Sequence, residues 1–297
     1  MSVATGIIER YKRYGWSTPP GEWGHTQSQF RREYHAILER GAVDALDLML
    51  ANMFQTNACL GLVSITSTDV DAFLAAVTDS VQLWMQWTDG RNADLPRLAA
   101  PNVGNPSVLN VLGTLVMVDT PRHDHYARQI VGLLPKGGTV LEIGGGYGGA
   151  ALQILRSSGN IQVVICDIPE TLYLAWYWLH SAGVNVAWYD EDPNADVLLL
   201  PAQELGAWDR TPDLVFAAHS LSEFTAPVTE RYMEWIRKVK PRYFYHDNAL
   251  VTGHVCGFEE VLCADMVPGP PHREVYRAPT PWPNTTGRYW EFLYERS

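Results

Sequence analysis

Cysteine is scarce: Cys59, Cys166, Cys256 and Cys263 are the four in 297 residues, and no two form a C-x-x-C pair. A zinc ribbon or dithiol redox motif is therefore not indicated, and a reducing compartment is expected. Basic residues are also few, 22 against 33 acidic, for a net charge of −11. So acidic a chain lacks the electrostatic footprint of a nucleic-acid binder. No apolar run is long enough to span a bilayer. The first ten residues carry Glu9 and Arg10 and lack the apolar core of a secretory signal. The expectation is a cytoplasmic enzyme with a small-molecule partner, no nucleic acid and no membrane; a homodimer stays open.

Aromatics are plentiful, with 11 Trp and 14 Tyr. Most belong to the core, but the surplus points to an aromatic-lined pocket. Around Pro19-Pro20-Gly21 the chain reads as an irregular arm. Helical periodicity then covers 27–40, with Phe30, Tyr34, Ile37 and Leu38 on one face, and Val43 to Phe54. Thr68 to Asp71 resembles a capping box, leading into a stripe of Phe73, Leu74, Val77, Val81 and Trp84. Ser107 reads as a cap for a helix over Val108 to Val118. Pro121 is placed to start a helix through Tyr126, Ile130 and Leu133. His123, Asp124 and His125 read as its solvated polar start rather than as metal ligands. The first 135 residues thus form a helical N-terminal region without a convincing strand, and residues 136–297 a second region.

From Thr139 strands and helices alternate. Val140-Leu-Glu-Ile143 is a short buried strand. It runs into five glycines within six positions, Gly144 to Gly149, broken only by Tyr147. A helix from Ala150 follows. Strand, glycine turn and helix open a nucleotide-binding α/β sheet, because the turn needs close backbone approach and the helix start offers free N–H groups. The acidic partner that such a turn requires, about 20 residues on, is Asp167, at the end of the run Ile161 to Cys166. Val197–Leu200, Asp213–Ala218 and Tyr243–Tyr245 read as further core strands. Two β-rich runs, Glu259 to Cys263 and Tyr289 to Tyr294, flank a Pro-rich stretch and have no helix between them. They suggest an antiparallel hairpin at the sheet edge.

That closing hairpin, with Glu142-Ile-Gly-Gly-Gly-Tyr-Gly148, Asp167-Ile-Pro-Glu-Thr-Leu172 and Asp213-Leu-Val-Phe-Ala-Ala-His-Ser-Leu-Ser-Glu223, resembles the class I S-adenosylmethionine-dependent methyltransferases. Within them it is similar to the sugar O-methyltransferase family, over about residues 139 to 250; upstream only Gly104-Asn-Pro106 matches. The resemblance implies a Rossmann-like α/β fold with a seven-stranded sheet and an N-terminal helical subdomain. It implies S-adenosyl-L-methionine as cofactor. The loop of Gly144, Gly145, Gly146 and Tyr147 would hold the methionine end, with Glu142 orienting the loop or taking the amino group. Asp167 would accept the ribose hydroxyls and Ile168 would pack on adenine. Ala202 and Gln203 would lie at the adenine amino group.

Methyl transfer to a hydroxyl gains from a general base, commonly histidine. His219, at the tip of the fourth strand beside the cofactor, is the first candidate, with Glu223 close behind it. His246 and Asp247, ending the fifth strand, form a second cluster in which Asp247 could orient a histidine. Trp16, Trp84 and Trp87 are possible stacking surfaces. The reading is a methyltransferase acting on a small-molecule hydroxyl, on a sugar or a sugar-containing natural product. Alternatives are N- or C-methylation of another metabolite, an NAD(P)-dependent oxidoreductase, or a non-catalytic cofactor-binding subunit.

Overall fold

A computed structural model describes residues 2–14, 32–59, 61–62, 70–88, 91–255, 258–282 and 287–297. Trp16, Phe30, Thr68 and Cys256, read above from sequence, lie outside them. Helices α1 (Val3–Tyr14), α2 (Arg32–Arg40), α3 (Val43–Ala51) and α4 (Val70–Trp87) come first. A small hairpin follows, β1 (Leu109–Val111) with β2 (Thr114–Val116), then α5 (Thr120–Leu133).

The hairpin overturns the helix expected over 108–118. Val108, Val111, Thr114, Val116 and Val118 are β-branched, which favours strand over helix. Leu112 and Gly113 both take positive φ, 49° and 90°, the geometry of a two-residue hairpin turn. Asn110 Oδ1 accepts the Gly113 N–H at 2.9 Å and closes it. Pro121 does start a helix, in the first turn of α5.

The main sheet is built from β3 (Thr139–Ile143), β4 (Gln162–Asp167), β5 (Val186–Trp188), β6 (Val197–Pro201), β7 (Leu214–Ala218), β8 (Tyr243–Ala249), β11 (His272–Pro279) and β12 (Tyr289–Arg296). Its order is β11-β12-β8-β7-β3-β4-β6-β5. All neighbours are parallel except β12, which runs antiparallel to both β8 and β11. Eight strands stand where seven were expected. The extra one is β5, three residues pairing in parallel with β6 at the edge. The closing hairpin is present, but its first arm is β11, inside the Pro-rich stretch. The run Glu259 to Cys263 instead gives half of a two-stranded β9 (His254–Val255) and β10 (Phe258–Glu259) ladder and a short 3₁₀ turn. No helix among the described residues is long and apolar enough to cross a membrane.

Helices α6 (Gly149–Ser157) and α7 (Pro169–Ser181) cover one face of the sheet and α8 (Ala226–Val239) the other. The core under α6 and α7 continues without a break into the N-terminal helices through Ile7, Tyr34, Leu38, Leu46 and Leu50. Tyr34 donates to the Glu170 carbonyl at 2.9 Å. Arg10 lies over both Trp176 and Trp188, 5.1 and 4.9 Å from the ring centroids, and pairs with Glu191. At the other end, Asp124 is fully buried, which is tolerable only because Trp84, Arg97 and Arg128 all donate to it.

Candidate active site

The parallel strands end at one edge, where open α/β sheets bind ligands. There β3 passes into the glycine loop. Gly144 has φ +73°, and a Cβ on it would stand 2.4 Å from Ser220 Cβ, so only glycine fits. Asp167, ending β4, fastens the loop: its Oδ2 accepts the Gly146 N–H at 2.8 Å and its Oδ1 the Ile168 N–H at 2.7 Å. Glu142 lies beneath, 5% exposed, with Oε2 buried and without a partner among the described residues. Burial, and then the Asp167 charge, push its carboxyl up to about 8.

Two adjoining cavities open on this edge. The larger, of about 320 Å³, is walled by Glu142, the glycine loop, Tyr147, the β7 tip with His219 and Glu223, and the start of α5. The smaller, of about 70 Å³, is walled by Asp167, Ile168, Thr171, Phe224 and Tyr232. Gly144, Gly146, His219 and Glu223 border both. Of the expected cofactor residues, Glu142, Gly144, Gly145, Gly146, Tyr147, Asp167, Ile168 and His219 therefore surround one continuous space. Ala202 and Gln203 do not. The turn after β6 packs Ala202 into the core on the α8 side and leaves Gln203 exposed, and neither borders either of these two cavities.

His219 holds positive φ, 51°, unusual away from glycine. Its backbone N–H donates to the Asp247 carbonyl at 2.8 Å, and its Nε2 lies 3.5 Å from Asp247 Oδ2. Its ring stacks on Tyr289, centroids 4.4 Å apart and planes within 15°. Burial and the Arg122 charge lower the His219 pKa, and Asp247 only partly opposes them, so the fold favours the neutral ring. Asp247 is fully buried. It accepts the Tyr126 hydroxyl on Oδ2 and the Thr280 hydroxyl on Oδ1, both at 2.5 Å. Burial alone would raise its pKa, but His219 and the Thr280 and Tyr126 hydrogen bonds hold it below the ordinary carboxylate value.

His246 does not belong to this cluster, which corrects the expectation from sequence. Successive residues of a strand face opposite sides, so Asp247 meets His219 while His246 turns to the α8 side. There it stacks against Phe244 and Phe292, fully buried, its pKa driven down to about 3 by burial. Nor is the start of α5 solvated. His123 borders the larger cavity, held near 4 by burial. Asp124 faces Trp84 and two arginines, and the His125 Nε2 lies 2.8 Å from Glu291 Oε1. The three side chains diverge and converge on no common point. Trp84 is core, while Trp87 is 43% exposed and sets its ring edge to His125.

Sequence reasoning missed Asp119, Arg122, Tyr126 and Trp282, all of which border the larger cavity. Pro121 marked the helix start, and its first-turn residues could have been followed into the site. For Trp282, in Pro281-Trp-Pro283, no local signal exists.

No protein-family model matches the chain, and no curated protein does. Among solved structures it is similar to an O-methyltransferase family 2 protein from Planctomyces limnophilus in complex with apigenin, at 15% identity over 61% of this chain and 64% of that one, TM-score 0.42. The chain thus spans under two thirds of that protein's length. An S-adenosylmethionine-dependent methyltransferase from Aquifex aeolicus matches at 16% identity over 58% and 89%, TM-score 0.40. The magnesium protoporphyrin IX methyltransferase of Synechocystis, with bound S-adenosylhomocysteine, matches at 16% over 60% and 83%, TM-score 0.44. The strand order, with its closing antiparallel pair, decides the architecture. The fold is the Rossmann-like class I methyltransferase fold. In that fold the glycine loop and the β4 carboxylate stand at the carboxyl edge, as they do here.

Proposed function

We propose that the protein is an S-adenosylmethionine-dependent methyltransferase acting on a small-molecule hydroxyl, on a sugar or a sugar-bearing compound. One observation carries this reading: a histidine backed by a buried carboxylate borders the same cavity as the glycine loop. The residues suit the cofactor. Glu142 offers a buried, unpartnered oxygen to an ammonium group, and Asp167 keeps lone pairs for a diol beyond its two N–H bonds. Held by Glu142 and Asp167, S-adenosylmethionine would supply a sulfonium-activated methyl for the acceptor oxygen, with the sulfide as leaving group.

His219 takes the hydroxyl proton as that bond forms. Asp247 stabilises the imidazolium and fixes the ring, its own carboxylate held by Tyr126 and Thr280. Alignment of the acceptor oxygen with the methyl does most of the remaining work. On this reading residues 136–297 form the cofactor domain, and the N-terminal 1–135 supply the acceptor wall through α4 and α5. The test is thermal denaturation with S-adenosylhomocysteine, NADH and NADP in parallel. A rise with S-adenosylhomocysteine alone is expected, by preferential binding to the folded state. A rise only with a nicotinamide nucleotide refutes the reading. N-methylation remains the second reading, because a neutral histidine equally receives a proton from an amine.

A further inference from the structure

We infer that Asp119 and Arg122 form the acceptor-recognition pair, and that the acceptor presents two neighbouring hydroxyls and carries no charge. The inference rests on the methyltransferase reading above. Asp119 directly precedes α5 and Arg122 lies in its first turn, so a three-residue spacing puts both side chains on one face. Arg122 Nη2 donates to Asp119 Oδ1 at 3.0 Å, and both residues border the larger cavity. Their side chains are 5% and 18% exposed. Arg122 Nε is buried with no partner among the described residues, so the guanidinium keeps unspent donor capacity.

A buried carboxylate beside a guanidinium offers acceptors and donors in adjacent positions. Two vicinal hydroxyls are the complement: one donates to Asp119 while the other accepts from Arg122. A lone hydroxyl engages half of this array and leaves the rest unsatisfied. The pair also lies near the base, since Arg122 and Asp119 both act on the His219 charge, in opposite senses. A diol held there has a hydroxyl within the same small space as His219.

The charge balance argues against an acid. Asp119 and Glu223 border the cavity against Arg122, the one cation among the described residues that line it, with Asp247 and Asp167 close behind, while Glu142 is held in its acid form until an ammonium group meets it. His123 and His219 add no positive charge, because burial keeps both rings neutral. An anionic acceptor would meet net repulsion, and a cationic one would be set against the sulfonium it must approach. The volume argues for a single ring. About 320 Å³ lies at the low end for ligand pockets and has to hold the methionyl end as well. Trp282, on the opposite chain segment, adds an apolar wall against which the C–H face of a pyranose or cyclitol packs.

The experiment incubates the full-length protein and S-adenosylmethionine with methyl α-mannopyranoside, methyl α-rhamnopyranoside, myo-inositol, glucuronate, glucosamine and cyclohexanol. Mass spectrometry reads the gain of one methyl. Wild type, Asp119→Asn and Arg122→Gln are compared, with S-adenosylhomocysteine affinity as the control for folding. The expected result is a gain on neutral diol compounds, reduced roughly 10–100-fold in kcat/KM by either substitution while S-adenosylhomocysteine affinity is retained. Equal or better turnover of glucuronate or cyclohexanol overturns the inference. So do variants with wild-type kcat/KM, or no gain on any diol while S-adenosylhomocysteine binds. Failure to bind S-adenosylhomocysteine overturns the methyltransferase reading itself, and this inference with it.

Discussion

His219 Nε2 stands 3.5 Å from Asp247 Oδ2, and the Asp247 carboxylate is gripped from two further sides by Tyr126 and Thr280. The gap is just beyond a hydrogen bond and closes with a small ring rotation, as catalytic contacts do on binding substrate. His219→Ala is expected to cut methyl transfer by about 10²–10⁴-fold, with S-adenosylhomocysteine affinity by calorimetry unchanged. Asp247→Asn should lower kcat in the same direction, because the amide cannot stabilise imidazolium. Full activity in His219→Ala removes the histidine from the chemistry.

Glu142 ties cofactor binding to proton release. Its folded-state pKa, about 8, lies above the ordinary 4.5. The acid form is thus favoured by the fold; its stabilising contribution is complete below about 4.5 and is lost as pH rises through 8. Wild type and Glu142→Gln should melt alike near pH 5, and wild type should fall behind as pH approaches 8.5. An ammonium group brought to the carboxylate favours its ionised form. S-adenosylhomocysteine binding at pH 7 should then release a proton, seen as a calorimetric enthalpy that depends on the buffer. An enthalpy independent of buffer contradicts this role.

Asp167→Ala should free the loop at Gly146 and weaken S-adenosylhomocysteine binding by about 1.5–3 kcal/mol, the scale of hydrogen bonds to a charged group. Calorimetry checks it, and wild-type affinity would place the ribose elsewhere.

Gly144→Ala combines a left-handed backbone with a Cβ 2.4 Å from Ser220 Cβ. A stability loss of about 1–3 kcal/mol in urea unfolding is expected. A neutral result would mean that the loop shifts freely.

Arg10, lying over both Trp176 and Trp188 and paired with Glu191, pins α1 to the sheet domain. Arg10→Ala should cost about 1–2 kcal/mol by thermal or urea unfolding, since its side chain is only 12% exposed. A loss confined to early melting of α1, seen by hydrogen exchange, would show that the anchor is local.

The part of the site that sequence made legible is the part governed by local rules. Strand, glycine turn and a carboxylate one strand later need no tertiary information, and Glu142, Asp167 and their neighbours fell where the spacing put them. His219 followed from its place at a strand tip. His246 shows the limit: at the end of a strand read as only Tyr243 to Tyr245, side alternation cannot be assigned, so the sequence groups His246 with Asp247 although only Asp247 faces His219. Ala202 and Gln203 lie away from the two cavities because a 3₁₀ turn redirects the chain after β6. The segment at 109–116 reads as helix because Ser107 looks like a cap and Val108 to Val118 is mostly apolar, and only the Leu112–Gly113 turn breaks the tie. Thr280, Trp282 and Tyr289 reach the site from far along the chain through pairings that no local pattern encodes.

The β12 strand lies between β8 and β11, and Tyr289 at its start stacks on His219, while Thr280 at the end of β11 holds Asp247. The Asp167 clasp on the glycine loop involves neither strand of that hairpin. The two halves of the chemistry are therefore separable by local opening. On the proposed reading, a molecule whose last hairpin peels from β8 keeps the Asp167 clasp while His219 loses the stacked Tyr289 and Asp247 its Thr280 bond, so that saturation with ligand and competence to react become independent quantities.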